Sequence, residues 1–236
     1  MTLAAKYIAA RLDMQAEERH KTRPRRDYLG ASVIGHACDA YCVMDMMGWP
    51  TAKKGSTIRA GELGHHIEAK VIDDLRLAGF SVLGVDGKQI EFTLRHGRFR
   101  CHLDGILSDK SDPRVLEIKS AKHSTFLAVK KKGLRDGHRM YYDQITAAMG
   151  LSEINRTVFI MLDKDTGETY CEEVHFDPFH WSYIQIKIDR LLDHTDEVQR
   201  VSASREYWRC KQCDRVSWCW GKKPPVGTWM PKERTP

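Results

Sequence analysis

Two acidic residues and a lysine lie in strand-like segments on either side of a short turn. Asp104 lies in GRFRCHLDGIL, the turn is SDKSDP, and Glu117 and Lys119 follow in VLEIK. Serine, aspartate and proline favour turns, and a symmetric turn with its midpoint between Lys110 and Ser111 puts Asp104 directly opposite Glu117. Facing carboxylates on neighbouring strands can share one divalent cation, so the pattern predicts a magnesium or manganese site.

Alternation along the second strand predicts which side chains join these acids. Successive side chains point to opposite faces, so Glu117 and Lys119 share one face while Leu116 and Ile118 share the other. We expect the apolar pair in the core and the charged pair beside Asp104. Lys119 would then orient or activate a water that attacks a phosphate. Such short patterns are common, and an ordinary exposed strand face fits this one too.

A helix predicted from about Ile58 to Ala78 adds two polar side chains. Gly61, His65 and Glu68 have the spacing G-x-x-x-H-x-x-E, and residues three apart are neighbours on one helical face. Burial does not explain that face, because it lies off the apolar stripe of Leu63, Ile67, Val71, Leu75 and Ala78. His65 and Glu68 are therefore candidates for the same site, whereas His66 is predicted on a solvated face.

The C-terminal region carries three clustered cysteines. Cys210, Cys213 and Cys219 have the spacing C-x2-C-x5-C, and tryptophans flank them. In a reducing compartment, clustered cysteines indicate a metal more often than a disulfide. A fourth ligand is needed, and the upstream segment IGHACDAYC offers Cys38 or Cys42. Four thiolates suit zinc as well as an iron–sulfur cluster.

The remaining candidates near these motifs are predicted to have structural roles. Cys101 and Cys171 stand alone in predicted strands, and we expect both to be buried. His36 could replace one thiolate as a ligand, but a local polar role is the preferred interpretation.

Composition sets the class of protein. The 236 residues are 42% hydrophobic and 30% charged, which is typical of a soluble globular chain. The net charge of +6 suits a polyanionic partner but is weak evidence alone. No stretch approaches the roughly 20 apolar residues of a membrane helix, and the N-terminus lacks the apolar run of a signal peptide. A cytoplasmic location without membrane attachment follows.

The elements that position these motifs alternate between helices and strands. Periodicity and turn signals predict helices over about 2–18, 32–48, 58–78, 125–132, 139–149 and 177–200. They predict strands around 80–85, 89–94, 98–107, 115–119, 156–162 and 168–176. We divide the chain into an N-terminal helix and basic linker (1–30), a main domain with the cysteines (31–221) and a disordered tail (222–236). This pattern predicts an α/β fold with a central mixed sheet of about four or five strands flanked by helices.

The order of the motifs resembles a known enzyme superfamily. G-x-x-x-H-x-x-E, then L-D-G, then L-E-I-K, then a helix with Tyr-Tyr-x-Gln, resembles the RecB-like branch of the PD-(D/E)XK nucleases. Within that branch the chain is most similar to phage-type exonucleases and CRISPR adaptation nucleases, over roughly Ser32 to Cys219. The resemblance implies a restriction-endonuclease-like core. It also implies that the cysteine metal site joins the two ends of the chain.

The resemblance also implies roles for the residues of the predicted site. Its metal ligands would be His65, Asp104, Glu117 and the carbonyl of Ile118, with Lys119 as the catalytic lysine. Glu68 would assist through a water or by bonding to a ligand. These roles describe a nuclease that needs magnesium or manganese.

One family motif is incomplete in this chain. The pattern Q-x-x-x-Y begins at Gln144, but its tyrosine position is Ala148. Tyr141 or Tyr142, one turn earlier, would make the same DNA contact. The basic segment Arg19–Arg26, predicted to be an exposed linker, and the run Lys130, Lys131 and Lys132 are candidate phosphate contacts or simply solvated charge.

The cysteine pattern resembles the iron–sulfur nucleases of the same branch. By that resemblance Cys38 is the preferred fourth ligand over Cys42, and a 4Fe-4S cluster is preferred over zinc. The sequence therefore predicts a metal-dependent DNA exonuclease acting in recombination, repair or phage DNA metabolism. Its expected partners are DNA and a recombinase, helicase or other DNA-processing protein. The alternatives are a CRISPR adaptation nuclease and a catalytically inactive DNA-binding module with a zinc clasp.

Overall fold

The computed structural model describes residues 2–85, 89–108, 112–193 and 199–221. The chain divides into two compact units. The described residues of Met1–Asp27, Cys38–His65 and Val198–Pro236 form the first unit, and those of Tyr28–Ala37 and His66–Glu197 form the second. The predicted tail over 222–236 lies outside the described residues, and the domain division given above remains a prediction.

Helices and strands alternate along most of the chain. The helices are α1 (Leu3–Thr22), α2 (Ala31–Ile34), α3 (Asp39–Met46), α4 (Gly55–Leu77), α5 (His123–Gly137), α6 (Arg139–Ser152), α7 (Pro178–Leu192), α8 (Trp208–Lys211) and α9 (Val216–Trp220). The strands are β1 (Leu29–Gly30), β2 (Ser81–Leu83), β3 (Glu91–Leu94), β4 (Phe99–His102), β5 (Gly105–Ser108), β6 (Arg114–Ala121), β7 (Arg156–Asp163) and β8 (Thr169–His175). None of the described helices is long and apolar enough to cross a bilayer.

A five-stranded mixed sheet forms the centre of the second unit. Its order is β2-β5-β6-β7-β8. β6 and β7 pair in parallel, and the other neighbours pair antiparallel. The parallel pair requires a crossover, and α5 and α6 provide it between β6 and β7. The predicted mixed α/β architecture is confirmed.

A second, smaller sheet was not predicted from the sequence. β1, β4 and β3 form it, with β1 parallel and β3 antiparallel to β4. The segment 98–107, predicted as one strand, is therefore two: β4 belongs to the small sheet and β5 to the large one. Leu103 and Asp104 lie at the break between them.

The core behind the large sheet follows the predicted apolar positions. A buried cluster joins the end of α4 to the sheet and contains Val71, Ile72, Val82, Leu116, Ile118 and Ile160. Ile67 and Leu75 pack against it, as the helical stripe predicts. Leu63, at the start of the stripe, is 49% exposed, and Ala78, at its end, is also exposed, so the stripe is buried only in its middle.

In the first unit, α1 packs through polar contacts. Asp13 accepts a hydrogen bond from Arg59 at 2.6 Å, and Glu17 accepts one from the backbone N–H of Gly55 at 3.1 Å. Only Ala16 of α1 is buried. The large apolar side chains of the first half of α1 are exposed: Leu3, Tyr7, Ile8 and Leu12.

Two predicted boundaries near the N-terminus were wrong. The helix predicted over 32–48 is two helices, α2 and α3, because Cys38 has extended backbone (φ −111°, ψ 111°). The predicted linker is helical as far as Thr22. Its Arg19 and Arg23 both pair with Glu62 at 3.1 Å, and these ion pairs hold the basic segment against α4.

Candidate functional site

The register of β5 and β6 places two carboxylates face to face. Gly105 pairs with Leu116 in this antiparallel ladder. The residue before Gly105 therefore faces the residue after Leu116, which places Asp104 opposite Glu117. Oδ2 of Asp104 accepts a hydrogen bond from the backbone N–H of Ile118 at 2.7 Å. The register predicted from the symmetric turn is confirmed, although residues 109–111 lie outside the described residues.

Glu117 is the most deeply buried acid of this region. It is 1% exposed, its Oε1 accepts a hydrogen bond from Gln144 Nε2 at 2.6 Å, and the same oxygen pairs with Lys119 Nζ. Within the described residues its Oε2 has no hydrogen-bond partner. Burial raises the pKa of Glu117 to about 8; Lys119 opposes this shift and Asp104 adds to it. A buried carboxylate with one unpaired oxygen needs a positive partner.

Lys119 supplies one fixed positive charge. Its side chain is 22% exposed and lies against Glu117. Burial disfavours the ammonium form, but the carboxylates of Glu117 and Asp104 outweigh burial and raise the pKa of Lys119. The lysine is therefore a cation at neutral pH. Its Nζ also lies 5.7 Å from the centre of the Tyr141 ring.

α6 contributes the other side chains of this group. Gln144 reaches Glu117 from a buried position on the helix, and Tyr141 lies one turn earlier beside Lys119. Tyr142 points elsewhere, with its ring 5.1 Å from that of His180 on α7. Of the two tyrosines that could replace the missing motif position, only Tyr141 lies beside Lys119. Ala148, at that position, is fully buried.

A buried hydrogen bond fixes α6 to α7. Nε2 of His180 and Oδ1 of Asp143 lie 2.7 Å apart, and both side chains are at most 7% exposed. Arg139 Nε donates a hydrogen bond to the same oxygen at 2.8 Å. Asp143 and Gln144 are adjacent in sequence, so this pair also sets the position from which Gln144 reaches Glu117.

The helical motif contributes one residue to the electrostatics of this site. Glu68 on α4 is half-buried, and its carboxylate is among the charges that raise the pKa of Glu117. His65 lies three residues earlier on α4, among the residues of the first unit, and its side chain is exposed. His66 is exposed, as expected for a solvated face.

The donor atoms of this region are the kind that a divalent cation prefers. In the described part of the chain, no group of three or more His, Cys, Asp or Glu side chains has the arrangement of a metal site. The chemistry of the donors nevertheless fits a hard cation, because Asp104 and Glu117 face each other and Glu117 Oε2 has no hydrogen-bond partner among the residues described.

The four candidate cysteines all belong to the first unit. Cys38 is the N-cap of α3, Cys210 lies in α8, and Cys219 lies in α9. Burial, followed by the charges of Cys38 and Cys219, raises the pKa of Cys210, and both thiols also raise the pKa of Cys213. The four thiols are therefore close enough to interact electrostatically. Cys42 is fully buried in α3.

One prediction about the other cysteines was wrong. Cys101 is buried, as expected, but Cys171 is exposed. β8 is an edge strand whose residues alternate between exposed and half-buried, so a cysteine on its outer face reaches solvent. None of the seven cysteines forms a disulfide bond.

The predicted basic run lies on the surface of α5. Lys130, Lys131 and Lys132 are exposed, and Lys130 pairs with Glu168. The structure places the run ahead of the break in α5 at Gly133, whose φ is 73°. Whether these lysines contact DNA remains a prediction.

Sequence analysis missed one residue of this region. His138 is the N-cap of α6, and its ring stacks on Tyr141 with centroids 3.6 Å apart. The available signal was a polar residue immediately before a predicted helix start, but histidine is not among the residues preferred there.

The fold and this group of side chains define a PD-(D/E)XK-type nuclease domain. A family model described as the YqaJ-like viral recombinase domain matches residues 22–155, more than half of the chain. The chain therefore belongs to the YqaJ-like viral recombinase domain family, which is a PD-(D/E)XK nuclease family. The predicted superfamily is confirmed, and so is a nuclease working in recombination or phage DNA metabolism.

Solved structures resemble the fold at low sequence identity. An alkaline exonuclease from Laribacter hongkongensis (LHK-Exo) has 17% identity and a TM-score of 0.53, covering 71% of this chain and 87% of its own. The structure of the same enzyme in complex with dAMP has 17% identity and a TM-score of 0.54, covering 70% of this chain and 86% of its own. SSO0001 gives 14% identity and 0.55, covering 92% and 98%. The comparison with curated proteins gives no match.

Proposed function

We propose that this protein is a magnesium- or manganese-dependent DNA exonuclease that hydrolyses phosphodiester bonds at strand ends during recombination, repair or phage DNA metabolism. The main support for this proposal is the environment of Glu117. It is buried opposite Asp104 with one oxygen lacking a hydrogen-bond partner among the described residues, and Lys119 lies against its other oxygen. A buried carboxylate facing a second carboxylate is unfavourable for stability, and a divalent cation would compensate their charge.

The cation would be held by oxygen ligands of the second unit. Asp104, Glu117 and the carbonyl of Ile118 are the proposed ligands, and the family resemblance adds His65. When bound, such a cation supplies positive charge to phosphate oxygens and lowers the pKa of a bound water. Glu68 would act indirectly, through its charge on Glu117.

The protein side chains would orient the reactants. Lys119 is held as a cation by Glu117 and Asp104, so its ammonium orients the attacking water and interacts with the phosphate. Gln144 holds Oε1 of Glu117 through its amide, which directs the carboxylate. The role of Lys119 is thus to position and stabilise charge.

The proposal also covers the exonuclease mode of cleavage and the contacts with DNA. The structural neighbour LHK-Exo is described as an alkaline exonuclease, and a complex with dAMP represents a nucleotide held by that fold. Tyr141 beside Lys119 and the run Lys130–Lys132 are the proposed contacts with the DNA strand. Family membership favours recombination or phage DNA metabolism over CRISPR adaptation, and the nuclease family argues against an inactive binding module.

A digestion assay tests the proposed activity. End-labelled single- and double-stranded DNA should be shortened from its ends with magnesium or manganese, and chelator should stop the reaction. Glu117→Gln should lower the rate of cleavage about 1000-fold or more while the protein stays folded. Undiminished cleavage by Glu117→Gln would contradict the assignment of the site, and cleavage of circular DNA at the same rate would contradict exonuclease action.

The cysteine cluster, defined as Cys38, Cys210, Cys213 and Cys219, is proposed to hold a 4Fe-4S cluster that closes the two ends of the chain into one clasp. Burial is the main cause that raises the pKa of both Cys210 and Cys213, and the charges of Cys38 and Cys219 add to it, which supports the grouping. The backbone N–H of Arg215 donates to Cys213 Sγ at 3.4 Å. Such N–H donors stabilise thiolates. The preference for iron–sulfur over zinc comes from the family resemblance.

Metal analysis distinguishes a 4Fe-4S cluster from zinc in the cysteine cluster. Protein purified without oxygen should be brown and contain iron and acid-labile sulfide. A colourless preparation with one zinc per chain would contradict the iron–sulfur assignment and keep the clasp. An unchanged metal content in Cys38→Ser, together with loss in Cys42→Ser, would move the fourth ligand to Cys42.

The proposed cellular setting follows from the same residues. We place the protein in the reducing cytosol, where clustered cysteines bind a metal more often than they form disulfides. DNA is the proposed substrate, and a recombinase or helicase is the proposed protein partner, because an end-processing nuclease must pass its product to such a protein.

A further inference from the structure

The junction between α5 and α6 is fixed by a close backbone approach. A Cβ atom at Gly137 would lie 2.6 Å from the Cα of Val129 and 2.9 Å from the carbonyl oxygen of Ala128. No side chain fits at this distance, so glycine is required where the chain turns back along α5. The next residue, His138, is therefore held at a defined place at the start of α6.

The ring of His138 makes two contacts with the same residue. Its Nδ1 accepts a hydrogen bond from the backbone N–H of Tyr141 at 3.4 Å, which caps the helix. Its plane also lies 17° from that of Tyr141 with centroids 3.6 Å apart, a stacked arrangement. Because Nδ1 accepts, the ring proton is on Nε2. Burial and then the charge of Lys119 lower the pKa of His138, which favours this neutral form.

Tyr141 is held between groups that belong to the active site. Its ring centre lies 5.7 Å from Lys119 Nζ and 6.2 Å from the ring of Phe159 on β7. Lys119 is partly exposed, so without a ring beside it the ammonium would gain freedom to move. The orientation of Tyr141 therefore affects the position of the charged group that acts on the phosphate.

We propose that His138 is a positioning residue for phosphodiester cleavage: its stacked ring holds Tyr141 against Lys119 and so fixes the ammonium beside Glu117. The inference rests on the proposed nuclease function. A simpler alternative is that His138 acts only as the cap of α6, in which case its ring is dispensable once another cap replaces it.

Three replacements separate the cap from the stack. His138→Asn keeps an acceptor for the Tyr141 N–H but removes the ring, so kcat should fall about fivefold to tenfold while the thermal midpoint stays near that of the wild type. His138→Phe keeps the ring but removes the acceptor, so the midpoint should fall by a few degrees with kcat within about twofold of the wild type. His138→Ala should show both losses.

Kinetics and a matched control provide readouts that a structural role would not change. In His138→Asn, kcat and kcat/KM should fall equally, because the lost interaction acts in the transition state. Asp177 caps α7 through hydrogen bonds of 3.0 Å to the N–H groups of Phe179 and His180. Asp177→Ala should lower the midpoint and leave kcat unchanged.

A double replacement tests whether His138 acts through Tyr141. Tyr141→Ala should reduce kcat by at least as much as His138→Asn, and adding His138→Asn to it should cause no further loss. Full activity of His138→Asn, or additive losses in the double variant, would overturn the inference.

Failure of this inference and failure of the proposed function give different results. If the wild-type protein does not degrade DNA with magnesium or manganese, the nuclease proposal itself fails. If it does, and Glu117→Gln abolishes the activity while His138→Asn matches the wild type, only the role of His138 is wrong.

Discussion

The acidic group of the second unit and the cysteine cluster of the first unit are held in place by different means. Asp104 and Glu117 are set by the register of two paired strands, and buried side chains from α6 hold Glu117. The cysteines lie at the cap of α3, in the short helices α8 and α9, which have four and five residues, and, for Cys213, in the segment between them. Short helices gain little from their own hydrogen bonds. The sheet and Gln144 of α6 therefore place the acids, whereas the cysteine segment depends on other tertiary contacts and on its proposed cluster.

The largest expected effect is a loss of DNA cleavage that leaves the metal content of the cysteine cluster unchanged. Asp104→Asn and Lys119→Ala should each lower the rate of DNA cleavage by about 1000-fold, because a ligand or the fixed cation is removed. The iron or zinc content should stay near that of the wild type, since the cysteines belong to the other unit. Cleavage rates and metal analysis on the same preparations check this. A parallel loss of cluster metal in Lys119→Ala would show that the two regions are not independent.

The next effect concerns the cysteines. The amount of cluster metal bound by Cys210→Ser should be at least about tenfold lower than in the wild type. The unfolded chain offers no preformed pocket, so the loss of one ligand weakens metal binding and folding together. Limited proteolysis should then cut the segment 208–220, which is protected in the wild type. Cys171→Ser is the matched control, since this exposed thiol lies in the other unit. Equal protection in Cys210→Ser would mean that the protein contacts alone order the segment.

Stability of the second unit should depend on the pair that anchors α6. Asp143→Ala leaves buried His180 without its hydrogen-bond acceptor and should lower the free energy of unfolding by about 1–3 kcal/mol. Urea denaturation measures this difference. Asp136→Ala, at an exposed position just before α6, should change it by less than about 0.5 kcal/mol. If both variants unfold alike, the buried pair does not anchor the helix.

The smallest effect is expected for the basic run on α5. Lys130 already pairs with Glu168, so DNA binding should depend mainly on Lys131 and Lys132. The double change to glutamine should weaken DNA affinity a few-fold. It should also reduce the slope of log affinity against log salt by up to about 0.9 for each phosphate that is no longer neutralised. Lys6 and Lys54, exposed in the first unit, provide a double control. An unchanged slope would assign the run to the solvated surface.

Local patterns predicted the core of the acidic site well. The symmetry of the turn gave the pairing of Asp104 with Glu117, and alternation sent Leu116 and Ile118 to the core. Alternation could not predict the burial of Glu117, because the helix that covers its face is added by tertiary packing. For the same reason the neighbourhood of Tyr141 and His138 could be found only in the folded structure.

The errors have physical causes that a single sequence hides. The segment 98–107 has the composition of one strand, but it changes sheets at Asp104, a change that depends on which neighbours pair with each half. The region 32–48 looks helical throughout, yet extended backbone at Cys38 divides it. Cys171 was expected to be buried because cysteine usually is, and its place on an edge strand exposes it.

The division of the chain also has a consequence for how the protein is made. The second unit comes almost entirely from one continuous stretch, His66–Glu197, plus Tyr28–Ala37, whereas the first unit needs residues from both ends of the chain. A ribosome adds about 5–20 residues each second, so roughly 7–27 s separate the synthesis of His65 from that of Val198. During this interval the nuclease sheet can fold on the nascent chain, whereas Asp45 of α3 has not yet met Arg215, with which it forms an ion pair. The cysteine cluster can be completed only after Cys219 has been synthesised, and therefore after the whole of the second unit.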